Sequence, residues 1–247
     1  MRLYLCEREG GLTKGALEYL RGWLKEELVL QPCPLKGRGE RARPFAEIRV
    51  IRPESTDLNP HPLPQEVDFE EERLRRCLCG RGTVYEGLRY ARLVRDLIEG
   101  GWEEKAVFCT SDYIATRERG EDRFHLRYAV FGFPVVISLP GIVEAPAKDR
   151  VHYLTKGLGM EGFCTGDALQ GLDDPRMPRI LAGLLLQAWF YYQRGYPFCP
   201  DPHCSLYNAH WQRELLTSQR DEPYLLCPQH LQILKEAQNG REDPKGV

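Results

Sequence analysis

No apolar run in this sequence of 247 residues approaches the roughly 20 that a membrane-spanning helix needs. An excess of either charge is also missing. Lys and Arg total 34 against 36 Asp and Glu, a net charge of −2 with a pI near 6.3. The chain as a whole therefore lacks the electrostatic footprint of a nucleic-acid binder or of a protein held on an anionic membrane. Its most basic stretch, Arg73-Leu74-Arg75-Arg76, reads as a solvated helix face. Low-complexity tracts and internal repeats are absent, which sets aside solenoids and biased tails. The N-terminal run Met1 to Glu9 is charged too early for a secretory signal. Nine cysteines, an odd number, do not suit a disulfide framework. These absences predict a reduced, cytoplasmic compartment in which cysteine serves metal ligation.

What is present begins with a cluster near the end: Cys199 and Cys204 as C-x4-C, then 22 residues, then Cys227 and His230 as C-x2-H. Two short clips of two ligands each are what a tetrahedral zinc ion requires, because each turn supplies a pair and the intervening chain closes the chelate. The alternative is that these cysteines are small buried hydrophobes. Flanking Pro and Gly turns favour zinc.

Hydrophobic periodicity organises the rest of the chain. Residues 2–6 read as a strand, and Gly15 to Leu28 as a helix through Ala16, Leu17, Leu20 and Leu24. Ala46 to Ile51 reads as a second strand, and the proline-rich residues 53–67 as an irregular connection. Helices are expected over 68–77 and from Val84 to Glu99, with Gly100-Gly101 as the stop. Strands follow at Ala106 to Thr110, Phe124 to Phe131 and Pro134 to Leu139, the last two joined tightly through Gly132-Phe133. Residues 141–177 read as a long loop. Pro178 opens a strongly apolar helix, Ile180 to Gln193, which Gly195 stops. Short helices are expected over 209–217 and 228–237, with a frayed tail from Asn239. The expected fold is α/β (α+β), a mixed β-sheet packed by helices. No composition break forces a division, so residues 1–247 are expected to form one domain. Its sheet lies within 1–140, and the apolar helix with the zinc lobe spans 178–238.

Several segments resemble the archaemetzincin family of metallopeptidases. Tyr90-Ala91-Arg92-Leu93-Val94 lies where that family has its pre-sheet helix. Ala106 to Tyr113 is similar to its strand ending in a Thr-x-x-Asp-Leu-type turn, and Val130-Phe131-Gly132 and Val135 to Leu139 to its paired edge segments. The family then carries HExxHxxGxxHC, a Cys-Val-Met segment and a terminal CxxC. Gly195 and Cys199 fall on the glycine and final cysteine of the first motif, Cys204-Ser205-Leu206 on Cys-Val-Met, and Cys227-Pro228-Gln229-His230 on CxxC. The resemblance implies a metzincin-like fold with a C-terminal lobe stabilised by zinc.

The same resemblance withdraws the chemistry. Ala188, Trp189, Tyr192 and Phe198 stand at the first histidine, glutamate, second histidine and third histidine positions, and Leu206 at the methionine. A zinc peptidase needs three protein ligands, an open position for water and a base to take its proton. No catalytic residue is therefore expected.

Other candidates carry competing readings. His210 and Glu214, four apart, would share a helix face, and with His203 they form a possible second metal site. A surface pair or a helix cap explains them as well. Cys77-x-Cys79 with Cys109 and Cys164 is a candidate cluster, or a set of interior thiols. Asp112 follows a strand end, where ligand-binding residues collect, or simply forms a turn. Asp173-Asp174 reads as a helix N-terminal signal. His125 and His152 are remote histidines that a relocated site could use. The aromatic residues from Trp189 to Phe198 fill the former active-site position.

Three functions follow. The favoured one is a metzincin-like protein that keeps structural zinc, lacks peptidase chemistry and binds a peptide or protein, since strand addition at a sheet edge needs no catalytic metal. A second is a hydrolase using His203, His210 and Glu214. A third is a zinc-stabilised nucleic-acid module with Arg213 and Arg220 near the metal, which the near-neutral charge argues against.

Overall fold

In a computed structural model the strands are β1 (Arg2–Cys6), β2 (Val29–Gln31), β3 (Val84–Glu86), β4 (Ala106–Thr110), β5 (Tyr113–Thr116), β6 (His125–Arg127), β7 (Ala129–Val130) and β8 (Val135–Ser138). The helices are α1 (Gly11–Leu20), α2 (Ala42–Glu47), α3 (Pro64–Arg76), α4 (Gly87–Arg95), α5 (Leu139–Glu144), α6 (Arg150–Gly157), α7 (Met177–Arg194), α8 (Gln212–Ser218) and α9 (Pro228–Asn239). The structure describes residues 1–6, 11–24, 28–52, 54, 56–77, 82–98, 100, 105–157, 168–219 and 225–239. Among these, no helix is long and apolar enough to cross a membrane.

The chain divides into two compact units. The first comprises Met1–Leu12, Leu28–Pro146 and Gln170–Asp174, and the second Thr13–Glu27, Ala147–Leu169 and Pro175–Val247. All described strands lie in the first unit. They form a five-stranded mixed sheet in the order β2-β1-β4-β8-β7 and a three-stranded sheet in the order β3-β5-β6. In the larger sheet β1, β2, β4 and β8 run parallel, and β7 pairs antiparallel with β8 through Ala129 with Ile137 and Val130 with Val136. Every residue of β4 and β8 is buried. That agrees with their apolar runs, Ala106 to Cys109 and Val135 to Ile137, because parallel strands are covered on both faces.

Four aromatic rings make the centre of this unit. Tyr90 meets Phe45 edge-on at 5.5 Å, Tyr85 at 5.4 Å and Phe108 at 6.2 Å between centroids. Against them lies an ionic network. Arg73 donates from Nε to Glu70 at 2.6 Å and from Nη1 to Asp112 at 2.8 Å, with all three residues buried. The Tyr85 hydroxyl donates to Glu70 at 2.7 Å and that of Tyr90 to Asp112 at 2.9 Å. Burial alone would lower the Arg73 pKa, but Asp112 foremost among its neighbours holds the guanidinium well above its ordinary range. Asp112 is thus engaged in anchoring α3 and α4 to the end of β4.

The expected strands at residues 2–6, 106–110 and 135–138 are present, as is the tight β7–β8 connection. Four expectations need correction. Phe124 to Phe131, expected as one strand, is β6 and β7, which lie in different sheets. Ala42–Glu47 is helical, and only Arg49 and Val50 of the predicted second strand make isolated bridges, to Tyr85 and Leu58. Val84–Glu86 is a strand because Glu86 caps the following helix, its carboxylate accepting Leu88 N–H at 3.1 Å and Arg89 N–H at 2.7 Å. The four-residue strand β5 is too short to show a period. The predicted loop over 141–177 contains most of α5 and all of α6.

In the second unit α7 is the central element, with every residue from Ile180 to Phe190 buried. Gly195 closes it in the left-handed conformation, φ 74°, which glycine adopts without strain. No side chain caps its N-terminus. Asp174, expected to serve that helix, instead accepts the Gln170 N–H at 3.3 Å.

Candidate metal centre

The chain after α7 turns back on itself through short backbone hydrogen bonds. Cys199 N–H donates to the Leu206 carbonyl at 2.8 Å, Cys204 N–H to Asp201 at 3.1 Å and Tyr207 N–H to Cys204 at 2.8 Å. Ser205 N–H reaches the Leu225 carbonyl at 2.9 Å, which brings the second clip beside the first. Cys227 precedes Pro228 at the start of α9, so His230 projects from the first helical turn toward its own clip partner.

The result is convergence. The ligand atoms of Cys199, Cys204, Cys227 and His230 all lie within 4.8 Å of one another. Cys199 Sγ and Cys227 Sγ are 3.8 Å apart, and Cys227 Sγ lies 3.0 Å from His230 Nδ1. Zinc–sulfur bonds of about 2.3 Å in a tetrahedron put sulfur atoms about 3.8 Å apart, so the thiol pair already has the spacing of ligands to one ion. Backbone N–H groups of Asp201 and Cys227 point at Cys199 Sγ and Cys204 Sγ, at 3.4 and 3.5 Å. Such donors favour thiolates. The residues present fit a tetrahedral thiophilic cation.

Burial pushes the Cys204 thiol up to about 12, raises Cys199 as well, and lowers His230. A divalent cation must therefore displace the protons of Cys199 and Cys204 to bind. The His230 ring packs edge-on against Phe190 of α7 at 5.3 Å, which fixes its plane.

Two buried glutamines, invisible as ligands in the sequence, hold this lobe. Gln187 of α7 donates from Nε2 to the carbonyls of Ser205 at 3.0 Å and Tyr207 at 3.2 Å, and Gln219 donates to Ser205 at 3.1 Å. Gln219 reaches that position over Gly183, where a Cβ would collide with the glutamine side chain. Only the uniform apolarity around Gln187 in Leu184-Leu185-Leu186-Gln187-Ala188 could have marked it.

The other predicted residues separate. Ala188 and Trp189 are buried, Tyr192 and Phe198 half-buried, and Leu206 fully enclosed. His203 is exposed, its N–H bonded to Asp201 at 3.0 Å. Glu214 accepts the backbone N–H groups of His210 and Trp211, both at 3.0 Å, and so serves the start of α8. Among the described residues His203, His210 and Glu214 do not form a metal-capable group. His125 pairs with Glu121 at 3.4 Å and His152 stacks edge-on with Tyr153. Arg213 lies over the Trp211 ring, and Arg220 lies outside the described residues. Cys109 is buried in β4, while Cys79 and Cys164 lie outside the described residues. Cys77 instead shares a hydrogen bond with Cys33, which lowers its own thiol pKa and raises that of Cys33.

Residues 35–237 match the model of a family described as "Probable metallopeptidase family (DUF6775)". No curated protein matches the chain. Among solved structures, archaemetzincin from Methanopyrus kandleri is similar over 97% of this chain and 96% of that one, at 15% sequence identity and a TM-score of 0.46.

Proposed function

The chain belongs to that probable metallopeptidase family, and from this premise we propose that it holds one structural zinc, hydrolyses no peptide bond and acts by binding a peptide or protein. Cys199, Cys204, Cys227 and His230 would hold the ion. Four protein ligands close a tetrahedral shell and leave no position for water or substrate, so the ion would supply folding energy.

One observation carries the loss of catalysis. The positions that resemble the HExxH ligands are Ala188, Trp189 and Tyr192, and the first two lie within the apolar core of α7. Neither can ligate a metal or take a proton from water. A binding role is supported by the sheet edges, since among the described residues β2 and β6 each pair on one side only. An extended segment can add to such an edge by backbone hydrogen bonds.

The test is a digest of a mixed peptide pool with zinc-loaded protein, read by mass spectrometry. No new termini above a heat-unfolded control are expected. Cleavage that disappears on chelation would contradict the reading, and its loss in His210→Ala would point to the alternative site around His203, His210 and Glu214.

A further inference from the structure

A groove of about 790 Å³ lies in the first unit at the carboxyl ends of the parallel strands β3 and β5. Open α/β sheets bind ligands at this end, because loops leaving the strands splay apart there. Glu86 ends β3, Arg117 follows β5, and the first turns of α4 form one wall. Four arginines line it: Arg52, Arg89, Arg92 and Arg117. The two carboxylates of the lining are Asp57 and Glu86, so the groove carries two positive charges in excess within a chain of net charge −2. The Glu86 carboxylate is turned to the N–H groups of Leu88 and Arg89.

Apolar surface is interleaved with this charge. Ile51 is 54% exposed and Leu88 50%, both within the groove, with Leu58 and Phe124 beside them. Large aliphatic side chains half in water among guanidinium groups are poorly served by water and by a simple anion alike. Guanidinium forks match carboxylates in pairs. Each exposed ion pair is worth little alone, so a ligand must engage several at once and cover the aliphatic side chains too.

We infer that this groove binds an acidic peptide, with carboxylates on Arg89, Arg92 and Arg117 and apolar side chains over Ile51 and Leu88. The inference rests on the peptide-binding part of the function proposed above and names the chemistry of the partner. Nucleic acid fits less well, because among the lining residues Phe124 alone is aromatic and it is largely buried, leaving no stacking platform for bases.

The test is fluorescence anisotropy with the full chain and a labelled peptide of alternating glutamate and leucine, beside a lysine–leucine counterpart and a labelled single-stranded oligonucleotide. The acidic peptide should bind, and weaken as salt is raised. Arg89→Glu with Arg92→Glu should cost about tenfold or more in affinity, since reversal adds repulsion to the lost attraction. Arg117→Glu, just after β5 and outside any helix, should weaken binding in the same direction and decides the matter if the double variant unfolds. Lys14→Glu with Arg21→Glu, the same charge change at exposed sites in the second unit, should leave affinity unchanged. Binding of both peptides alike, undisturbed by the groove reversals, overturns the groove and leaves peptide binding standing. Failure of both peptides to bind overturns the groove and the peptide-binding reading together. Tighter, groove-dependent binding of the oligonucleotide overturns the peptide assignment.

Discussion

Gln187 donates one hydrogen bond to the carbonyl of Ser205 at 3.0 Å and a second to that of Tyr207 at 3.2 Å. A single amide on the buried face of α7 thereby spans the turn that presents Cys204. The residue just after the glutamine, Ala188, falls where the resembled family has its first catalytic histidine.

Replacing Gln187 by Leu keeps its bulk and removes both donors. The Ser205 carbonyl keeps the Gln219 donor at 3.1 Å and that of Tyr207 keeps the Ala209 N–H at 3.0 Å, so the cost is that of two lost hydrogen bonds, about 0.5–1.5 kcal/mol each. Thermal unfolding should shift down, and metal affinity should fall about 10–100-fold, as for other groups that support a ligand from behind. Competition with a chromophoric chelator measures the second effect.

Gly183→Ala places a methyl group against the Gln219 side chain. Overpacking of a full core costs about 1–3 kcal/mol, and the displaced glutamine also releases Ser205. Urea unfolding should show the lower midpoint with an unchanged slope. Gly183→Ala combined with Gln219→Ala should recover part of the loss, because the collision is then relieved.

Arg73→Met leaves Glu70 and Asp112 buried without their shared cation. Breaking a buried pair by removing one partner costs about 3–5 kcal/mol. The expected result is a large loss of stability in the first unit. Arg49, 4.0 Å from Glu70, offsets little of it because it is partly exposed. Limited proteolysis mapped by mass spectrometry would locate the opening to α3 and α4.

Glu66 carries the pH prediction. Its side chain accepts from Asn59 Nδ2 at 3.0 Å and from the Leu63 N–H at the start of α3 at 2.8 Å, and these bonds hold its carboxyl below the usual range. A depressed folded-state value means that its contribution is complete above the unfolded carboxylate value of about 4.3 and is lost as pH falls through the folded value. Glu66→Ala should cost about 1 kcal/mol at neutral pH. Urea midpoints of wild type and variant should converge as pH drops below about 4.

The sequence made long, periodic or uniformly apolar elements legible. The apolar helix around Leu181 to Tyr192 and the buried strands β4 and β8 fall where their patterns put them. Short elements were not legible, because β3, β5 and β6 span three or four residues each and cannot show a period. The strand Val84–Glu86 was lost for a different reason. Its apolar residues continue in phase with those of α4, and only the side chain of Glu86 marks where the helix begins. The four-ligand cluster was readable because its clips are local in sequence. Gln187, Gln219 and the Glu70–Arg73–Asp112 network were not, since each depends on partners 14–39 residues away.

Metal content of the purified chain, measured by elemental analysis before and after mild chelation, bears most directly on the account. One zinc per chain that resists the chelator, and is lost together with a fall in thermal stability in Cys227→Ser, is the predicted result. No zinc at all, or a second metal that the chelator removes readily, would contradict it.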